Sequence, residues 1–157
     1  MSRSGYSDDG DFNDWQMIMY RGAVTSAFKG KRGQAFLREM LAALDALPVQ
    51  RLVANELSVP DLIPCSHWGL FESESVCAIG AVGKTRGVDM HGIDPEDAES
   101  VAGKFGIATA MAREIVFVND DYWRNETPEA RFSRMRMWVK SQINEPKTTT
   151  QTKEKAA

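Results

Sequence analysis

From Asp14 onward, apolar side chains recur every three or four positions, the spacing of helices that bury one face. Trp15, Ile18, Met19, Gly22, Ala23 and Ser26 make the first such stripe, and the Asp14 carboxylate stands where it can cap the helix that carries it. Lys29-Gly30-Lys31-Arg32-Gly33 interrupts the pattern. Phe36, Leu37, Met40, Leu41, Leu44 and Leu47 form a second stripe, which predicts a helix from about Gln34 to Leu47, stopped by Pro48. The short connection predicts an α-hairpin.

The middle of the chain has a different rhythm. Arg51–Leu57 and His67–Phe71 read as two strands, giving a short β-hairpin within residues 51–73, with Pro60 and Pro64 in the loop between. Val76–Val82 is apolar and small, and reads as a short buried helix. Asp94-Pro95-Glu96-Asp97 combines a capping carboxylate with a proline suited to a first helical turn, and predicts a helix to Phe105. Gly106 breaks it, another helix follows over about Ala108–Val118, and Thr127-Pro128-Glu129 opens a last one to about Ile143. In that last helix Phe132, Met135 and Val139 face inward with Trp138 beside them. The expected fold is mainly α: one compact bundle of about six helices over residues 14–144 with a short hairpin. Residues 1–13 and 145–157 lack an apolar pattern, and are expected to be a disordered acidic lead and a disordered polar tail.

Composition narrows the class. The hydrophobic share of 43% and charged share of 26% fit an ordinary globular domain rather than a disordered or membrane-embedded chain. No apolar run approaches the roughly 20 residues that span a bilayer. Met1–Gly10 is polar and acidic, unlike a secretory signal, so a cytoplasmic location is expected. The net charge is -3, but Asp8, Asp9, Asp11 and Asp14 against Arg3 put most of the excess in the lead. The body is nearly neutral, which argues against a dedicated nucleic-acid binder. Two cysteines, Cys65 and Cys77, are too few for a disulfide framework and are expected to be free thiols.

Several constellations suggest chemistry. Residues 97–115 have the outline of a helix-turn-helix: Val101, Ala102, Phe105, Ile107, Ala112 and Ile115 fuse two helices across Gly106. Reading base edges requires outward Arg, Lys, Asn or Gln. Thr109, Ala110, Arg113 and Glu114 are the outward candidates, of which Thr109 and Arg113 suit DNA. Lys29, Lys31 and Arg32 would add phosphate contacts. Cys65, His67, Cys77 and His91 could supply a zinc tetrahedron or a thiol nucleophile, but their spacing matches no standard zinc motif. Gly80, Gly83, Lys84 and Thr85 do not make a phosphate-binding loop, because the glycine that pattern requires is Ala78. Asn119-Asp120-Asp121 with Glu126 lacks the spacing of a calcium loop and reads as turn chemistry. No metal or cofactor is expected. Tyr122, Trp123 and Arg124 form an aromatic–arginine group of the kind that anchors protein interfaces. Arg131, Arg134 and Trp138 follow at helical spacing, and with Arg136 and Lys140 make a stripe that could grip an acidic protein face.

Stretches Gly33-Gln34-Ala35-Phe36-Leu37-Arg38-Glu39 into Leu44-Asp45-Ala46, Val76-Cys77-Ala78-Ile79-Gly80-Ala81, Ile93-Asp94-Pro95-Glu96-Asp97, Phe105-Gly106-Ile107 and Glu126-Thr127-Pro128-Glu129 share a further feature. Together they give a chain that resembles small proteins encoded by tailed phages and prophages, over roughly residues 5–143. Residues 58–74 are longer than that group's pattern. The group has no established activity, so the resemblance assigns no site residue. It implies a phage setting, where small non-catalytic proteins block host proteins or regulate genes. The expected function is therefore non-enzymatic: binding a host protein in the host cytoplasm, as an inhibitor of a host defence or regulatory system. The expected contact residues are Tyr122, Trp123, Arg124, Arg131, Arg134 and Trp138. The alternative is a DNA-binding regulator of helix-turn-helix type. Neither reading involves a membrane.

Overall fold

A computed structural model describes residues 5–9, 11–65, 69–120 and 125–145 of the chain. Among them are seven helices and one antiparallel hairpin: α1 (Gly5–Asp9), α2 (Asp14–Lys29), α3 (Lys31–Asp45), β1 (Ser58–Cys65), β2 (Gly69–Val76), α4 (Ala78–Arg86), α5 (Ala98–Phe105), α6 (Thr109–Asp120) and α7 (Pro128–Gln142). The mainly helical fold with a small hairpin is as the periodicity predicts.

The hairpin lies later than the alternation suggests, with register running from Ser58 opposite Val76 to Cys65 opposite Gly69. Residues 51–57 are irregular instead; Asn55 takes a left-handed φ of 63° that interrupts extended backbone. Pro60 and Pro64, expected in a loop, sit within β1. They share a parity, so their nitrogens point to the same side of the strand. With only two strands in the sheet, that side can be the unpaired edge, where a missing N–H costs no ladder bond.

Helix α4 runs through the interior. Ala78 to Gly83 are all buried, as the small apolar composition predicts. Gly80 is required there, since a Cβ would stand 1.9 Å from the Leu57 carbonyl oxygen. In one core cluster with α4 are Leu37, Met40 and Leu44 of α3, Val101 and Phe105 of α5, Met111 and Ile115 of α6, and Phe132, Met135 and Val139 of α7. Full burial of such side chains contributes roughly 1.5–3 kcal/mol each.

The helix ends differ from expectation in informative ways. The cap of α2 is Asn13, in a reciprocal capping box with Gln16, rather than Asp14. α3 starts at Lys31, three residues earlier than the apolar stripe implies, because Gly30 alone turns the chain. Lys29, Lys31 and Arg32 therefore sit on helix ends and not in a flexible loop. α5 starts at Ala98: Asp94 is used in a turn, accepting from the Glu96 N–H, and Asp97 caps the helix through Ser100. α7 opens on Thr127 and Pro128 as predicted. Ahead of α2, where no structure was expected, α1 holds Tyr6 against Phe12, Tyr20 and Phe117.

The largest departure is α2 itself. Its inward side is Tyr20, Val24, Ala27 and Phe28. The stripe expected to be core, Trp15, Ile18, Met19, Gly22, Ala23 and Ser26, is exposed throughout.

Candidate binding surface

Residues four and seven apart lie on one face of a helix, and residues half a turn away lie opposite. In α2 both sets are apolar. Tyr20, Val24, Ala27 and Phe28 take the inward side against α3, α6 and α7, where Phe28 meets the Trp138 ring edge-on at 5.7 Å. The second set then has no core to enter. Trp15 is 69% exposed, Ile18 61% and Met19 58%. A Cβ added at Gly22 would meet nothing within 4 Å. Scattered surface apolar residues are ordinary, but a contiguous line of a tryptophan, an isoleucine and a methionine marks an interaction surface. The sequence held the signal for it: one helix with two apolar stripes, only one of which a bundle can bury.

The residues expected to contact a partner lie elsewhere and are differently occupied. Tyr122, Trp123 and Arg124 fall outside the described residues. Arg131 is buried, donating from Nε to the Asn119 carbonyl at 3.0 Å and from Nη1 to the Leu52 carbonyl at 3.1 Å. Arg134 donates from Nε and Nη2 to the two Glu126 oxygens, each at 2.8 Å, and from Nη1 to the Val118 carbonyl. These arginines close on the last turn of α6, where helix carbonyls call for donors from outside, and the two guanidiniums supply them to Val118 and Asn119. Asn119 completes the network, donating to the Val53 carbonyl and accepting from the first N–H of α4. The Arg134 bonds hold the Glu126 carboxyl below its usual range, with the Arg131 charge adding to the effect. Trp138 is half-buried on Phe28. Arg136 lies outside this network, paired with Asp45 at the surface.

The helix-turn-helix outline is present as α5, a left-handed Gly106 and α6. Its second helix, however, is central to the bundle. No residue from Thr109 to Asp120 is exposed. Glu114, expected to point outward, is buried and accepts from the Gly5 N–H at 2.7 Å. Arg113 lies over the Tyr6 ring, 5.4 Å from its centre. Thr109 and Arg113 are both half-buried. Lys29, Lys31 and Arg32 are exposed at the α2–α3 corner.

Cys77 caps α4, its sulfur accepting from the Gly80 N–H at 3.3 Å. Burial pushes this thiol up to about 12, so it is neither a thiolate nucleophile nor a ready ligand. His91 is exposed on the turn after α4, His67 lies outside the described residues, and Cys65 ends β1. Among the described residues no three His, Cys, Asp or Glu side chains converge as a metal site. An open groove of about 1430 Å³ runs between the hairpin and the 90–95 turn, lined by Pro60, Asp61, Glu74, Lys84, His91 and Asp94 among others. Asp61 there is engaged by Ser75 and Arg51. No helix among the described residues is long and apolar enough to cross a membrane. Compared with known protein families, curated proteins and solved structures, the chain has no match.

Proposed function

We propose that this chain is a non-enzymatic protein that acts by binding another protein, with the outer face of α2 as its contact surface. The observation that carries the reading is the exposed line Trp15, Ile18 and Met19 on a helix already anchored by its opposite side. A large, rigidly mounted aromatic beside aliphatic neighbours is the composition of an interface centre. The resemblance to phage-encoded proteins makes a host protein the target class and the host cytoplasm the place of action, with inhibition of a defence or regulatory system as the outcome. Arg131 and Arg134 are excluded from the contact set because α6 occupies them. The DNA-regulator reading draws no support from α6, which has no exposed residue to offer a groove.

The test is comparison of wild type with Ile18→Asp in binding and phage-propagation assays. Ile18 is exposed, so the variant keeps its fold, and helical circular dichroism verifies that. Loss of binding and of phenotype is expected. Full retention of both defeats the reading. A mobility shift of duplex DNA at low salt that Arg113→Ala weakens would revive the regulator.

A further inference from the structure

Resting on the reading of α2 as a protein-binding face, we infer that its occupant is a second copy of this chain, docked antiparallel across a two-fold axis. Three features of the stripe point there.

The first is the distribution of bulk. Trp15, Ile18 and Met19 fill the N-terminal half of the exposed face, and Gly22, Ala23 and Ser26 fill the C-terminal half. One half is a ridge and the other a trough. Laying a second α2 antiparallel, with Trp15 over the partner copy's Ser26, also brings Ile18 to Ala23 and Met19 to Gly22. A two-fold axis makes each contact twice, since the same patch serves on both copies. Parallel pairing would set ridge on ridge and leave the troughs empty. Small residues on the facing half let the axes approach to about 8 Å, near the lower limit for packed helices.

The second is charge. Just ahead of α2, four residues before Trp15, stands Asp11, exposed, and at the last residue of α2, three after Ser26, stands Lys29, also exposed. Asp14 adds to the acidic end, and Lys31 and Arg32 to the basic end. Antiparallel docking places each acidic end beside the partner copy's basic end. Parallel docking would oppose like charges at both ends.

The third is mounting. α2 is fixed by Tyr20, Val24, Ala27 and Phe28, so the outer face is pre-organised and little side-chain order remains to be lost. A host target then competes with the second copy for this face.

Light scattering and sedimentation on the purified full chain, from micromolar to sub-millimolar concentration, test this. Wild type should dimerise, and Ile18→Asp should be monomeric with unchanged circular dichroism. Asp11→Lys and Lys29→Asp should each weaken the dimer about three- to tenfold, and the double reversal should restore it, because the two positions face each other only in the antiparallel arrangement. A chain that stays monomeric throughout overturns the inference, as does a dimer that Ile18→Asp leaves intact. If the monomeric wild type still binds a host protein and Ile18→Asp does not, the second copy is refuted while the protein-binding reading stands. If neither self-association nor host binding is lost in Ile18→Asp, both fall.

Discussion

Helix α7 turns two arginines, one buried and one half-buried, onto its neighbour, while helix α2 displays a tryptophan, an isoleucine and a methionine. By hydropathy alone the placement would be reversed. What decides it in α7 is the end of its neighbour: α6 stops with carbonyls that need donors, and a guanidinium with five N–H groups on a long apolar stem can reach them from inside the bundle. What decides it in α2 is competition between two apolar faces for one core. Tyr20 and Phe28 are on the side that wins, where the rings of Tyr6, Phe12 and Trp138 meet them. A buried charge here is a fastener, and an exposed apolar line is a surface left for something else.

The sharpest way to break this contrast is to remove the fastener. Arg131→Ala would leave the Asn119 and Leu52 carbonyls without these donors and Glu126 with one fewer cation. Breaking such a buried set costs about 3 kcal/mol or more. Urea unfolding should show the midpoint falling accordingly. A loss below about 1 kcal/mol, the size of an exposed ion pair, would return Arg131 to the surface.

Next comes Gly33, in the first turn of α3. At Gly33 a Cβ would stand 1.9 Å from the Ala27 carbonyl oxygen, a backbone atom that cannot swing aside. Gly33→Ala should therefore cost about 2 kcal/mol through forced separation of the two helices. Thermal unfolding checks it, and an unchanged melting temperature would mean that α2 and α3 do not touch there.

Glu126 gives a smaller effect and a pH signature. Its folded carboxyl titrates below the ordinary glutamate range because Arg134 bonds the ionised form. Stability from that pairing is present above 4.5 and is lost as pH falls through the lower folded value. Glu126→Gln should cost about 1.5 kcal/mol near neutral pH, and its stability should fall less steeply than wild type on acidification below 4.5. Parallel wild-type and variant curves would remove Glu126 from the network.

Much of the fold was legible because amphipathic spacing is a local signal. The α3 stripe, the Thr127-Pro128 start of α7 and the small residues of α4 each carry enough information to place themselves. Three things were not local. Which apolar face of α2 is buried depends on where α3 and α6 lie. Whether Arg131 and Arg134 point out or in depends on where α6 ends. The β1 register depends on which edge of a two-stranded sheet stays unpaired, and prolines look like loop residues until that edge is known. The candidate surface suffered most: the residues that compose it were visible as a stripe, but a stripe reads as core until a second one claims the interior.

The smallest effect bears on the exposed face directly. Gly22 lies mid-helix with open space around it, so Gly22→Ala meets no steric cost and gains helix propensity of about 0.8 kcal/mol. In dilute solution, where each chain stands alone, the variant should melt slightly above wild type. In concentrated solution the added methyl sits in the trough that receives Met19 of a second copy, and the gain should vanish or reverse. Because partner binding stabilises by mass action, wild type should itself melt higher as concentration rises, and the variant should respond less. Melting temperatures taken across concentration thus separate two roles of one glycine. A uniform gain at every concentration would leave Gly22 merely a weak point in a helix, and the trough without an occupant.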